Sequence, residues 1–448
     1  MGAEAPMDGH PAAARVCPTP GAAAGETTPC EEAPSMPAFL HPGTLARFLV
    51  LSGASGISIG VLAVAVPLYA LGLPASAAEV GLIRAAGGLG LLLAAIPAGF
   101  CVDRFGPHRS FHAGSIVSIA SIVGFAFAPT PAALALLVFC DGAARALQLN
   151  ALGAIYFEAL PWLGPRRLGW HKASLSTGLS FAGPLLAGLL LGSVGFGVTF
   201  ATVVALVLLP NLLIRRIAAP RPSQGHGGPG TTLRDHLDGS RALLQHPRVV
   251  SSLLTEAVVS GSFAAFTSFM VVRAVTELGQ GAGITALLVG LEGAAFIVTV
   301  FRGGERVARR THRAAALGGI ALSAVSFVGL ALATSLVLLA EFAVTLGVGL
   351  GVLNLVTTAR AASLPGEKGR VTALFMTAAS LGGALGPAFA GVLAGTLDTR
   401  AAFIGFVPLY LLLAVLVLAP ARPRPLAGGF TPLRDDAPAP SELRTETP

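Results

Sequence analysis

Residues 183–188 read Gly-Pro-Leu-Leu-Ala-Gly, and residues 386–391 read Gly-Pro-Ala-Phe-Ala-Gly. Both sextets fit the pattern G-P-x-x-A-G, and they begin 203 residues apart inside long apolar segments. Two copies of one pattern at equivalent places in the chain indicate an internal duplication. The sequence therefore predicts two similar halves, each with one copy of the sextet.

The composition places most of the chain in a membrane. Hydrophobic residues make up 54% of the 448 residues and charged residues 11%, and the mean hydropathy is +0.76. Soluble domains contain about 25% charged residues, so an ordinary soluble protein is excluded. The net charge of +7 comes mainly from short loops between apolar runs, which indicates membrane topology and no nucleic acid partner.

Twelve segments are long and apolar enough to cross a hydrocarbon core about 30 Å thick. We predict spans at 47–72, 79–101, 110–128, 131–157, 173–194, 196–214, 249–274, 283–301, 314–334, 336–358, 371–395 and 401–419. The predicted fold class is all-α integral membrane, with twelve transmembrane helices in two pseudo-symmetric six-helix bundles. The bundles are residues 45–218 and 248–420, joined by the cytoplasmic linker 219–247; residues 1–44 and 421–448 are predicted to be disordered cytoplasmic tails.

Loop charge predicts the orientation of the chain. The loops after even-numbered spans hold most of the Arg and Lys residues, whereas only Arg273 and Arg400 lie on the other side. Because cytoplasmic loops retain positive charge, both termini are predicted to be cytoplasmic. Residues 1–40 show no basic segment followed by an apolar run, so no signal peptide is predicted. Abundant Ala, Gly and Arg with only two Lys indicate a GC-rich bacterial genome, and hence a bacterial inner (plasma) membrane.

The second span ends in a charged turn whose notable residues are Gly99, Asp103, Arg104, Gly106 and Arg109. Gly99 can let a neighbouring helix approach, Asp103 can accept hydrogen bonds or pair with arginine, and Gly106 permits a tight turn. This stretch resembles the loop signature G-x-x-x-D-R-x-G-R-K of the major facilitator superfamily, from which it departs at positions 107 and 108. The resemblance implies that these five residues form a gating loop; a merely charged span end is the structural alternative.

The resemblance covers roughly residues 45 to 420. It implies a central site near the membrane midplane and alternating access by rocking of the two halves. The sextets resemble the superfamily's antiporter pattern g-x-x-x-G-P-x-x-G-G, with Leu179 and Ala187 departing from it in the first copy. The implied helix bends involve Gly183, Pro184, Gly188, Gly382, Gly386, Pro387 and Gly391. An ordinary kinked membrane helix is the alternative interpretation.

Asp141, Arg145 and Gln148 lie in the fourth span, near mid-membrane. Asp141 and Arg145 are four residues apart, so they lie on one helical face and can partly neutralise each other. Arg145-x-x-Gln148 resembles the superfamily's R-x-x-Q-G pattern, which is associated with proton coupling, although Leu149 replaces the glycine. Because buried charge is costly, we predict a functional role, with a structural ion pair as the alternative.

Four further charged residues lie in predicted spans: Arg84, Glu256, Glu292 and Glu341. A carboxylate buried in a helix bundle can take up and release protons near neutral pH. Glu292 lies near mid-span between glycines and is the preferred coupling residue outside the fourth span. For Glu256 and Glu341, a satisfied pair or a place at the interface is equally compatible with the sequence.

These features predict a secondary active transporter, with export of a small amphipathic molecule in exchange for protons as the leading hypothesis. The alternatives are proton-coupled uptake, export of a dedicated metabolite or metallophore, and a non-transporting sensor or scaffold. No enzyme motif is supported: Gly56-Ile-Ser58-Ile-Gly60 matches a hydrolase pattern but lies inside a span. No cofactor or metal site is predicted. The expected partners are the substrate, protons and the lipid bilayer, and the chain is expected to be monomeric.

Overall fold

The computed structural model describes residues 42–163, 170–214, 241, 243–245, 247–308, 312–363 and 368–419. Residues 1–41 of the predicted N-terminal tail, the predicted C-terminal tail 421–448 and most of the predicted linker 219–247 lie outside these residues, whereas residues 42–44, predicted to be disordered, begin the first helix. The twelve long helices of the described part are α1 Pro42–Gly72, α2 Ala77–Phe105, α3 Pro107–Phe125, α4 Pro131–Leu163, α5 Trp170–Ser193, α6 Gly195–Ile214, α7 Pro247–Thr276, α8 Ala282–Ala308, α9 His312–Leu332, α10 Leu336–Ser363, α11 Lys368–Thr396 and α12 Thr399–Leu418.

The predicted fold class is confirmed, because the described residues form twelve helices at the twelve predicted places. Eleven of them are long and apolar enough to cross a membrane; α3 is the exception. Helix α3 is less apolar because His108, Arg109 and His112 lie in its first two turns and serines recur along it. Those serines are buried, and two of them, Ser115 and Ser118, form hydrogen bonds with side chains of α4.

The same packing pattern occurs in each six-helix half. Helix α2 packs on α4 and α1 packs on α5 in the first half, as α8 packs on α10 and α7 packs on α11 in the second. The halves meet mainly where α2 contacts α11 and where α5 contacts α8. The two halves are therefore built alike and joined along two helix pairs.

Matching glycines mark the equivalent helix crossings. A Cβ atom on Gly142 of α4 would overlap the carbonyl of Gly87 on α2, and a Cβ on Gly347 of α10 would overlap the carbonyl of Glu292 on α8. Gly142 and Gly347 are 205 residues apart, as are Gly87 and Glu292. Only glycine allows backbones to approach this closely. The duplication therefore extends beyond the sextets to the main helix contacts, and Glu292 occupies the position of a glycine in the other half.

We call the end of the bundle where the odd-numbered helices begin the near end, and the opposite end the far end. Towards the far end, residues 61–67 of α1 and residues 265–274 of α7 are buried on every side. Towards the near end the same helices keep partly exposed faces, for example at Ile57 and Leu254. The two central helices are thus enclosed at the far end and less enclosed at the near end.

Candidate functional site

A buried polar network surrounds Asp141 on α4. Its carboxylate accepts a hydrogen bond from Ser118 Oγ of α3 at 2.5 Å, and lies 3.4 Å from Arg145 Nε one turn along the same helix. Arg145 Nη1 donates to Ser58 Oγ of α1 at 2.6 Å. Asp141 and Arg145 are 8% and 5% exposed. Three helices therefore supply the partners of this ion pair, which is the arrangement that makes a buried charge tolerable.

Arg84 of α2 connects this network to the other half of the protein. Its guanidinium lies within electrostatic range of Asp141 and donates from Nε to Ser268 Oγ of α7 at 3.2 Å. Asp141 thus interacts with two arginines, one of which bonds across the boundary between the halves. A change in the charge of Asp141 acts on both arginines.

The predicted residue Gln148 extends the network along α4 towards the near end. Its Nε2 donates to Ser115 Oγ of α3 at 3.3 Å, and the side chain is 3% exposed. On Arg145, Nη2 is buried without a hydrogen-bond partner among the described residues. The predicted trio therefore belongs to one site, which keeps one unused donor.

Glu292 lies in a second polar cluster, in the other half. Its side chain is 0% exposed, and neither carboxylate oxygen has a hydrogen-bond partner in the described part of the chain. Tyr410 of α12 lies within electrostatic range and donates to Ser262 Oγ of α7 at 2.8 Å. A buried carboxyl group without a hydrogen-bond partner is costly, so packing alone does not explain Glu292.

The two remaining predicted carboxylates lie apart from these clusters. Glu256 of α7 is half-buried and accepts from Thr357 Oγ1 of α10 at 3.0 Å, between two helices of the second half. Glu341 is exposed near the start of α10, where its carbonyl accepts from Thr345. Of these two, the structure brings only Glu256 into a polar contact between helices.

The predicted gating loop has the tight turn that the sequence indicates. Gly106 has φ +84°, a left-handed conformation that favours glycine, and its N–H bonds to Val102 O where α2 ends. Asp103, Arg104 and Arg109 are exposed, and Arg104 lies over the ring of Phe105 at 5.7 Å. The loop is therefore an exposed near-end turn in this conformation.

In this conformation Gly99 does not have the role that the sequence predicts for it. We predicted that it allows close approach of a neighbouring helix, yet an added Cβ would meet no described atom within 4 Å. In this conformation its side of α2 is therefore not in contact with another described helix.

The two sextets lie at equivalent helix contacts, with one difference in spacing. Gly183 packs on Gly60 of α1, as Gly386 packs on Gly261 of α7. The sequence suggested Leu179 as the counterpart of Gly382, but Gly178 packs on Gly56 of α1, the counterpart of the Ala257 on which Gly382 packs. Residues Gly178–Ala182 form a π-helical turn, which accommodates one extra residue. The motif therefore keeps its first glycine, one position earlier than predicted.

The last glycine of each sextet contacts the other half of the protein: Gly188 packs on Ala286 of α8, and Gly391 packs on Gly81 of α2. These are the two helix pairs that join the halves. Pro184 and Pro387 are buried in the helices between these glycines. The predicted bend residues thus lie partly within each half and partly at the boundary between the halves.

Sequence reasoning missed the hydroxyl partners of the charged residues, namely Ser58, Ser118, Ser268 and Ser262. Ser58 is the central residue of the apparent hydrolase motif, and its hydroxyl accepts a hydrogen bond from Arg145. Serines recurring inside apolar spans were the available signal. No group of three or more His, Cys, Asp or Glu side chains in the described residues is placed to hold a metal.

Two similar six-helix halves with buried charges between them define a membrane protein of the two-bundle transporter fold. The chain belongs to the Major Facilitator Superfamily, whose family model matches residues 48–363 and 311–445. The resemblance noted from the loop signature is confirmed, and it places the chain among transport proteins, not enzymes.

Individual relatives are distant. The chain is 27% identical over 157 residues to the multidrug resistance protein MdtG of Salmonella arizonae and of Salmonella newport, which covers 34% of this chain. The match spans 39% of the length of those relatives. Among solved structures, the nucleoside transporter NupG aligns with TM-score 0.68 and 13% identity, over 83% of this chain and 98% of NupG. An inward-facing, occupied bacterial homologue of the human lysosomal transporter Spinster aligns with TM-score 0.64 and 16% identity, over 84% and 96% of the chains.

Proposed function

We propose that this chain is a secondary active transporter that exports a small amphipathic molecule in exchange for protons, by alternating access. The observation that carries the proposal is the network from Asp141 through Arg84 to Ser268, because it links one titratable group to both halves. Export is supported by the sextets and by the similarity to a multidrug resistance protein over part of the chain.

The proposed coupling is electrostatic. Ionised Asp141 attracts Arg145 and Arg84, whereas protonated Asp141 releases them to bind other partners. One charge pair at 4 Å is worth about 4 kcal/mol at an effective dielectric constant of 20. That corresponds to a change of roughly a thousandfold in an equilibrium constant, compared with the roughly 10⁴-fold, or 5.5 kcal/mol, that moves a two-state equilibrium from 1:99 to 99:1. Proton binding at Asp141 is therefore large enough to shift the balance between two arrangements of the halves.

The second half supplies the other part of the proposed mechanism. Glu292 lacks a hydrogen-bond partner among the described residues, and Glu256 keeps part of its surface exposed. We propose that these carboxylates bind a cationic group of the substrate or a further proton. In this proposal the two arginines are accompanied by three carboxylates, Asp141 in the first half and Glu256 and Glu292 in the second, so one positive charge on an amphipathic substrate completes the charge balance.

We further propose that the near end and both termini lie in the cytoplasm, in a bacterial inner membrane, because the loops at that end carry most of the basic residues. The enclosed far end then makes this conformation inward-open. The proposed protein acts as a monomer and needs no cofactor, metal or nucleic acid.

Counterflow in proteoliposomes tests transport itself. Vesicles containing the purified chain are loaded with ethidium and diluted into a trace of labelled ethidium, without a pH gradient. We expect transient accumulation of label at least about tenfold above protein-free vesicles. A panel that adds uridine and an iron-chelating hydroxamate addresses the uptake and metallophore alternatives. If no compound shows counterflow, the sensor or scaffold hypothesis replaces the transporter.

Gly99→Val is expected to impair transport without affecting folding. The added side chain meets empty space in this conformation, but it obstructs helix approach when the near end closes. We expect an unchanged thermal midpoint and at least an approximately tenfold lower counterflow rate. Gly318→Val is the matched control, since Gly318 of α9 also has no described atom within 4 Å. Equal rates for both variants would contradict a closing role for the turn.

A further inference from the structure

A polar cavity lies at the far end of the second half. It has a volume of about 550 Å³ and is lined by Arg273, Glu277, Leu278, Ala333, Thr334, Asp398 and Arg400. The lining includes two cationic and two anionic side chains, which come from the ends of three helices and their loops. Arg273 and Arg400, the two basic residues that the sequence analysis placed on this side of the membrane, therefore line one cavity.

The arginines play different parts in this cavity. Arg273 is 2% exposed and already occupied: it donates to the carbonyls of Leu330 and Ala333 and lies 3.2 Å from Glu277. Arg400 is exposed and makes no ion pair or hydrogen bond with the described residues. Arg273 thus holds Glu277 in place, and Arg400 is the cation free to bind an anion.

An apolar groove of about 600 Å³ adjoins the polar cavity. Its lining includes Val325, Val328 and Leu332 of α9, Phe342 of α10 and Val407 of α12. Ala333 lines both the groove and the polar cavity, so the two are adjacent. From Ala324 to Ala333 the groove follows nine residue steps of helix, or about 14 Å. That length is close to the roughly 15 Å of hydrocarbon in one leaflet of the bilayer.

The first half lacks these charges at the equivalent positions. With the offset of 201 residues that relates Gly60 of α1 to Gly261 of α7, the counterpart of Arg273 is Gly72. The counterparts of Asp398 and Arg400, 203 residues earlier, are Gly195 and Gly197. The charged cavity is therefore a feature of one half and is not a by-product of the repeated architecture.

We propose that the cavity and groove together bind one zwitterionic phospholipid, with phosphatidylethanolamine preferred. The phosphate binds Arg400, the ammonium group binds the carboxylates of Glu277 and Asp398, and one acyl chain occupies the groove. A balanced pair of charges above an apolar groove complements a zwitterionic headgroup above a hydrocarbon chain. The ammonium group donates hydrogen bonds that a choline headgroup lacks, which gives the preference.

Native mass spectrometry of the delipidated full chain tests this site. Dioleoyl phosphatidylethanolamine, phosphatidylcholine and phosphatidylglycerol are titrated separately against the wild type. We expect the first phosphatidylethanolamine to bind at least about tenfold more tightly than either other lipid. Tighter binding of phosphatidylglycerol, or equal binding of all three, would overturn the assignment.

Two variants locate the binding. Arg400→Gln removes the phosphate partner, and Val328→Trp fills the groove. Each variant is expected to bind the first phosphatidylethanolamine about tenfold more weakly than the wild type. Val123→Trp is the matched control, because Val123 is the exposed α3 counterpart of Val328, 205 residues earlier. Gel filtration verifies that each variant is folded. If Arg400→Gln and the control bind equally, the proposed site is wrong, whatever the transport assays show.

Discussion

Asp141→Asn is expected to abolish proton-driven transport while preserving substrate exchange. The amide keeps the size of the side chain and can still accept from Ser118, but it cannot change charge or attract Arg145 and Arg84. We expect accumulation driven by a pH gradient to fall at least about a hundredfold. Counterflow, which needs no proton cycle, is expected to remain within about threefold of the wild type. Both are measured as labelled ethidium flux in the same proteoliposomes.

Glu341→Gln is the control for Asp141→Asn, because it removes an exposed carboxylate from another span and lies outside the network. It is expected to leave both assays unchanged. If Asp141→Asn keeps gradient-driven accumulation, Asp141 is not the coupling group. If Asp141→Asn loses both gradient-driven accumulation and counterflow, and its thermal midpoint falls, the Asp141–Arg145 pair is structural.

Glu292→Leu is expected to stabilise the protein and inactivate it. The carboxyl group is fully buried without a hydrogen-bond partner among the described residues, and leaving such a group unpaired costs about 1–3 kcal/mol. An apolar side chain of similar size removes that cost, so the thermal midpoint is expected to rise by about 2–5 °C. Gradient-driven transport is expected to fall at least tenfold, on the order expected for loss of a binding charge.

Two companion variants make the Glu292 result specific. Glu292→Gln keeps the shape and removes only the charge, so it is expected to lose transport with little gain in stability. Glu341→Leu makes the same chemical change at an exposed site, where no burial cost is relieved, and is expected to alter neither property. A Glu292→Leu protein with lower stability and normal transport would show that the carboxyl group is only a packing element.

The sequence predicted the fold well because the signals for it are repeated. The same architecture is indicated by twelve apolar runs, by alternating loop charge and by two copies of one sextet. A single copy of the sextet would have been weak evidence for a duplication. Helix α3 was also found, although its serines and histidines lower its hydropathy, because residues 110–128 still form a mostly apolar segment. Backbone packing at Gly142 and Gly347 then follows from the same duplication.

The candidate site was predicted only in part, for a physical reason. A charged residue inside an apolar run is visible in the sequence, so Asp141, Arg145 and Glu292 were found. Their partners are serines on other helices, and a serine is common enough in membrane spans to carry no signal alone. The contact of Arg84 with Ser268 joins residues 184 positions apart, which only the packing of the halves brings together. The π-helical turn at Gly178 likewise hid a motif position, because sequence spacing assumes regular helix geometry.

Luminal pH during substrate movement tests the central claim most directly. Proteoliposomes loaded with the pH dye pyranine receive ethidium outside, with membrane potential clamped by potassium and valinomycin. Exchange of ethidium for protons predicts that the lumen becomes alkaline as ethidium enters, and that Asp141→Asn vesicles show no pH change. Acidification would mean that substrate and protons move together, which contradicts export by exchange; no pH change in wild-type vesicles that take up ethidium would contradict proton coupling altogether.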